Sequence, residues 1–337
     1  MKLFGLAARS AAPLVLAGVA AWLLQAQLGQ AWGVILMYAG INVVLAVSLN
    51  VVNGFTGQFS IGHAGFMAVG AYTAAKITFA LQEAQLFHLP LGASQQIIFL
   101  LALAAGMGMA ALAGLAAGMP SLRLRGDYLA IVTLGFNEII RVVIENTPFL
   151  GGATGLSGLP RRTTLVWVGL GAVATILMAR RLVGSTHGRA LLAIREDEVA
   201  AEAMGVDTTS YKVRAFVISS AFAGLAGGLL VHMLQLCNPA DFSFIKSFEV
   251  VTMVVLGGLG SVTGSVLAAL LLTISLQVFT EFQQYRMVVY ALLLIVLMLT
   301  RPSGLFGSRE LWDLFPAWRA RRKEPQPPSS PTSEEVP

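Results

Sequence analysis

The sequence predicts an all-α polytopic membrane protein of about ten transmembrane segments, with one adjacent pair broken or re-entrant. Three observations predict it. Hydrophobic residues make up 56% of the 337 residues and charged residues only 12%, with a mean hydropathy of +0.75. A soluble domain carries about 25% charged residues. Apolar runs near the roughly 20-residue length that crosses a bilayer recur along the chain. The remaining charge is gathered into short stretches, above all Arg180 to Arg214, and no soluble domain of useful size lies between the runs.

The expected spans are 11–28, 33–52, 62–82, 97–119, 128–147, 164–181, 214–236, 247–258, 261–280 and 286–300. Lys2 and Arg9 precede the first run. We read that run as an uncleaved span, because another follows closely and no small-x-small cleavage site is evident. The second run ends in Asn50-Val51-Val52-Asn53-Gly54-Phe55-Thr56-Gly57-Gln58-Phe59-Ser60-Ile61-Gly62-His63-Ala64-Gly65. Asn53, Gln58, Ser60 and His63 are candidate pathway or gate residues, since polar groups facing lipid are costly. Irregular backbone at membrane depth is tolerated only against protein or a water-filled route. The other reading is a short inner loop in which Gly permits a tight turn.

The 83–95 loop lacks Lys and Arg, whereas Arg123 and Arg125 follow the fourth run. The fifth run carries Thr133, Asn137 and Arg141 at i, i+4 and i+8, with Glu138 and Glu145 at helical pair spacing from Arg141. An ionisable group near mid-bilayer is a functional hypothesis, and an acid beside a base suits a zwitterionic amino acid. Mutual neutralisation of Glu138, Arg141 and Glu145 is the competing explanation. Gly151 to Gly158 follows, with Thr154 inside it. Its glycines leave amides free to meet an anion, or simply make a flexible loop.

The Arg180–Arg214 stretch cannot lie in hydrocarbon, where each central charge costs roughly 2.5–3.5 kcal/mol on insertion scales. Ser185 or Thr186 offers an N-cap. Arg189 to Met204 is rich in helix formers and is expected to be one helix, with Gly205 as its stop and Asp207 capping the next. Leu191, Ile194, Ala201 and Met204 give one apolar face, and Glu196, Glu198 and Glu202 the opposite one. Such a helix is a surface that a partner grips, or a solvated connector. Further on, Gly257-Gly258-Leu259-Gly260-Ser261 interrupts 247–280 and echoes the Gly spacing of 54–60. Paired interruptions in two halves are a feature of transporters with internal repeats. His232 is expected to be a packed, hydrogen-bonded core residue.

Lys/Arg bias puts the N-terminus, the Arg180–Arg214 loop and the tail on the cytoplasmic side. Arg161 and Arg162 alone violate it. The net charge of +5 and pI near 9.6 are explained by these inner loops and by anionic lipid, not by nucleic acid. The tail beyond Pro316 is Pro/Ser/Glu-rich and is expected to be disordered. Three regions follow: an N-terminal span at 1–30, a transmembrane domain at 31–306 with its cytoplasmic loop at about 181–213, and a tail at 307–337. The single cysteine, Cys237, excludes an intramolecular disulfide. There is no G-x-x-x-x-G-K-[ST] for ATP, no H-E-x-x-H and no Cys/His cluster for a metal.

Asn53 to Phe66 resembles the early signature of LivM-type permeases, the integral membrane subunits of bacterial branched-chain amino acid ABC importers. Gly126 to Arg141, Gly151 to Leu156 and Arg195 to Val206 are similar to further blocks of that family, in order, within roughly 35–305. The resemblance implies a non-catalytic permease in the bacterial inner membrane that needs no cofactor. Its implied partners are a LivH-like second permease, two ATP-binding subunits and an extracytoplasmic substrate-binding protein. It also implies that Arg195, Glu196, Asp197, Glu202, Ala203 and Gly205 lie in the segment that docks the ATPase. Related permeases handle urea or short amides. An ion-coupled secondary transporter using Glu138 is the chief rival.

Overall fold

The computed structural model describes residues 29–83, 91–121 and 127–278, with isolated positions on either side. The expected first and last spans, Arg123 with Arg125 and the tail fall wholly or mostly outside the described residues, as do residues 84–90 of the 83–95 loop.

Ten α-helices are described: α1 (Gln30–Asn50), α2 (His63–Glu83), α3 (Leu91–Ser121), α4 (Asp127–Glu145), α5 (Leu165–Val183), α6 (Thr186–Glu196), α7 (Glu198–Ala203), α8 (Thr208–Leu234), α9 (Phe244–Gly257) and α10 (Val262–Val278). A π-helical turn, Val51–Phe55, continues α1. Short 3-10 turns and one two-stranded antiparallel pair, β1 (Leu156–Ser157) with β2 (Leu236–Cys237), join the rest. Five of the described helical segments are long and apolar enough to cross a membrane: Gln30–Phe55, His63–Leu81, Ser94–Pro120, Leu165–Val183 and Thr208–Leu234. The chain is thus a mostly helical, multi-pass protein.

The centre is built by glycines. A Cβ on Gly70 would lie 2.2 Å from Gly224 Cα, and one on Gly106 would lie 2.7 Å from Gly70 O. A Cβ on Gly227 would meet Met67 O at 2.1 Å. So α2, α3 and α8 cross backbone to backbone, the small-residue packing that replaces hydrophobic drive inside a bilayer. His232 is fully buried there. Its Nε2 lies 2.8 Å from Thr78 Oγ1, its Nδ1 lies 2.8 Å from Gly228 O, and its ring meets Phe99 edge-on.

Around this trio, α1 is shared by α5, α8, α9 and α10. The 247–280 stretch is a helix–turn–helix hairpin. Gly257 and Gly264 touch where α9 and α10 meet, and each would clash with the other's carbonyl if it carried a Cβ. Asn42 Nδ2 donates to Thr273 Oγ1 at 2.8 Å, and Lys246 Nζ donates to Asn42 Oδ1 and to Glu249 Oε2 at 3.0 Å each. That polar network ties α1, α9 and α10 together.

Two expectations change. The Gly151–Gly158 stretch is not a loose loop. A 3-10 turn at Pro148–Leu150 leads into it, it forms a second at Gly152–Thr154 and then β1, and Gly155 is pressed against Cys237 O. The charged stretch expected to be cytoplasmic is not one helix from Arg189 to Met204. It breaks at Asp197, which adopts extended φ −156° and ψ 110°. Its carboxylate accepts from Val199 N and Ala200 N at 2.9 and 3.0 Å, and so starts α7 afresh. An aspartate prefers this capping role to a helix interior.

Candidate functional site

The site grows from the end of α1. Asn50 is fully buried, and its side chain acts as a surrogate backbone. Its Oδ1 accepts from Gly260 N and its Nδ2 donates to Ser261 O, both at 2.9 Å. The α9–α10 turn, with Gly258 at φ 109° and Gly260 at φ 86°, is thereby pinned to α1. Gly54 lies beneath it. A Cβ there would sit 1.9 Å from Asn50 Oδ1 and 2.3 Å from Gly260 N. The two Gly interruptions that echo each other in sequence therefore meet in space.

Asn53 clamps the loop that follows. Its Nδ2 donates to Ser60 O at 3.2 Å and its Oδ1 accepts from Ser60 N at 3.1 Å. Gln58 is buried, and its Oε1 has no hydrogen-bond partner among the described residues. The loop then runs along α4. Ile61 N donates to Thr133 Oγ1 at 3.0 Å, and Gly62 and Gly65 face Thr133 and Asn137 so closely that any side chain would clash or strain. Asn137 is fully buried, with its Oδ1 unpartnered among the described residues. His63 Nε2 lies 3.0 Å from Ser48 Oγ, and Ala64 N donates to Ser247 Oγ at 3.0 Å. Buried polar atoms without partners cost about 1–3 kcal/mol each, so Gln58 and Asn137 are places where an unmet hydrogen bond is concentrated.

Arg195, at the end of α6, reaches into this assembly. Its Nη1 donates to Gly54 O at 3.0 Å. Its stem packs on Gly57, which has φ 69°, and its guanidinium lies where a Cβ on Gly260 would be, 2.6 Å away. One side chain from the charged segment therefore touches both interruptions.

The structure brings Asn53, Gln58, Ser60, His63, Thr133, Asn137 and Arg195 into one neighbourhood. The remaining candidates lie elsewhere. Glu138, Arg141 and Glu145 form a row along α4. Arg141 Nε donates to Glu138 Oε2 at 2.8 Å and its Nη1 to Glu145 Oε2 at 3.1 Å. Their side chains stay 33%, 28% and 36% exposed. Thr154 is exposed and donates to Gly151 O. In the charged segment Glu196 points to solvent, 79% exposed. Glu198 pairs with Lys212 at 2.5 Å, and Glu202 accepts from Thr208 Oγ1 at 2.7 Å. Glu198 and Glu202 thus fasten α7 to α8 instead of forming a free acidic face with Glu196. Ala203 ends α7, and Gly205 turns the chain at φ 85°. Met204 departs from the expected apolar face. It is 85% exposed, while Leu191, Ile194 and Ala201 are buried.

Sequence reasoning passed over Asn50, Gly260 and Ser261 as partners, and Lys246 with Glu249. The available signals were an Asn closing an apolar run four residues before a Gly, and a Lys/Glu pair at i, i+3 in an apolar run. Among the described residues no group of three or more His, Cys, Asp or Glu side chains is placed to hold a metal ion.

The family described as "Branched-chain amino acid transport system / permease component" matches residues 31–299. The chain is 36% identical over 302 residues to the high-affinity branched-chain amino acid transport system permease protein LivM of Salmonella typhimurium, covering 79% of this chain and 67% of that one. It is 35% identical over 300 residues to its Escherichia coli counterpart, with the same coverages. To LivH of Escherichia coli it is 34% identical over 129 residues, 38% of this chain and 42% of that one. No solved structure matches the chain.

Proposed function

This chain belongs to the family of permease components of branched-chain amino acid transport systems, and we infer that it is the non-catalytic, membrane-spanning subunit of an ATP-driven importer for those amino acids. It pairs with a second, LivH-like permease, each chain forming half of the translocation route. Two ATPases dock on the cytoplasmic segment, and a substrate-binding protein delivers cargo from outside. The permease domain is 31–306, with residues 181–213 as its coupling loop and both termini cytoplasmic.

One observation carries the pathway assignment. Glu138 stands about 16 Å along α4 from its start, at 1.5 Å per residue. It, Arg141 and Glu145 remain about one-third exposed on a helix whose exposed positions also include Tyr128, Ile131, Gly135, Ile139, Val142 and Val143. Charged groups at that depth do not face lipid. The row therefore faces water or the second permease, and the route lies along it, with Thr133 and Asn137 on the buried side. Asn53, Gln58, Ser60 and His63 form the inner gate, and Thr154 sits by the outer mouth. Arg195 links that gate to the ATPase-docking segment, where Glu196, Asp197, Glu202, Ala203 and Gly205 shape the surface.

The test is reconstitution of the full importer in proteoliposomes, with uptake of leucine, isoleucine and valine competed by urea and acetamide. ATP-dependent uptake competed only by the branched-chain acids is the expected result. Competition by the amides would move the substrate class. Uptake driven by an ion gradient without the ATPases would refute the mechanism.

A further inference from the structure

We propose that the groove between α3, α5, α6 and α8 binds one anionic phospholipid, which braces the helix carrying Arg195. The groove measures about 440 Å³. Its walls are almost wholly carbon, from Leu115, Leu182, Leu191 and Ile218 among others. The lining residues that carry polar groups are Tyr211, His187 and Arg214, and among the described residues no carboxylate lines it. The His187 and Tyr211 rings stand 5.6 Å apart, and the Arg214 guanidinium lies 5.7 Å from the Tyr211 ring. Arg214 is exposed.

Position and chemistry select the occupant. Leu115 lies near the end of α3, Leu182 near the end of α5 and Ile218 within three turns of the start of α8. On the orientation proposed above, these ends lie in the cytoplasmic half of the bilayer. A zwitterionic amino acid finds no acid here for its ammonium. An acyl chain fits the carbon walls, and a phosphate beside Arg214 and His187 completes the charge. Juxtamembrane basic residues attract anionic headgroups in this way, and Tyr belongs at headgroup depth.

The groove also touches the coupling machinery. Leu191 is buried in it, and Arg195 lies one helical turn further along α6, on the same face. A lipid that holds Leu191 in place holds Arg195 against Gly54. The binding site stands independently of the substrate; the effect on coupling rests on the function proposed above.

Native mass spectrometry of the purified full-length chain tests the binding, with phosphatidylglycerol and phosphatidylcholine of identical acyl chains as probes. Wild type should retain phosphatidylglycerol preferentially. Arg214→Ala with His187→Ala should lower that preference by at least about fivefold. Both residues are exposed, and an unchanged melting temperature in detergent would show that the variant folds. Ile218→Trp, which fills the groove, should exclude both lipids. Equal retention of the two lipids by wild type, or an unchanged preference in the double variant, would overturn the proposal. So would inorganic phosphate raising the melting temperature as much as phosphatidylglycerol does. A photo-crosslinker at position 218 of the assembled importer that captures protein instead of lipid would do the same. The coupling effect is read separately, as uptake per ATP in vesicles with and without phosphatidylglycerol, so its failure leaves the binding result standing.

Discussion

Replacing Arg195 by alanine isolates the link between the proposed docking segment and the proposed gate. The substitution removes a charge-assisted hydrogen bond to Gly54 O at 3.0 Å. Bonds to charged groups contribute about 1.5–3 kcal/mol. The Arg195 side chain is 30% exposed, so water replaces part of that bond, and we take about 1–2 kcal/mol as the net loss. That weakens the attachment of α6 to the gate by about 5- to 30-fold. The assay measures ATP hydrolysis and leucine uptake in the same proteoliposomes. Uptake per ATP should fall several-fold while hydrolysis persists. Arg195→Lys should be intermediate, because an ammonium keeps the charge but not the guanidinium's planar donor geometry. Gly108→Ala is the control, since a Cβ there meets nothing within 4 Å and the position lies outside the gate and the docking segment. Unchanged uptake per ATP in Arg195→Ala would show that the contact transmits nothing and would refute the reasoning.

The other predictions follow from local geometry. Gly54→Ala should abolish stable assembly, because its Cβ would overlap Asn50 and Gly260, whereas Gly108→Ala, with nothing within 4 Å, should be neutral or stabilising by up to about 1 kcal/mol; detergent melting curves compare them. Met204→Asp and Glu196→Lys alter exposed positions of the docking segment and should reduce ATPase recovery on the purified permease without lowering permease yield. Glu202→Lys should lower permease stability as well, because it breaks the bond to Thr208. Cys237 is buried, and that burial pushes its thiol well above the ordinary range, so it should resist maleimide from pH 7 to pH 9 until the protein is denatured. In a Cys237→Ser background, a cysteine at position 196 should be labelled by an impermeant reagent only from the cytoplasmic side; labelling from outside would invert the topology.

The sequence by itself determined the helical membrane class, the family and the position along the chain of the charged segment between α5 and α8. These rest on composition, run length and ordered local motifs, and each is carried by neighbouring residues. Ser185, Asp207 and Gly205 act where local capping rules put them, because a cap is completed within four residues. The break at Asp197 was open to the same rules, but a window of good helix formers masked it. Tertiary structure alone decided what meets at the gate. Arg195 reaches Gly54 across 141 positions and Asn50 reaches Gly260 across 210. Tertiary structure also turned Met204 outward and tied Glu198 and Glu202 to α8, where Lys212 and Thr208 took the two acids as partners. The physical reason is hydrogen-bond satisfaction. An interrupted helix inside a membrane must find partners for its freed backbone groups, and which distant residue supplies them leaves no periodic trace in the chain.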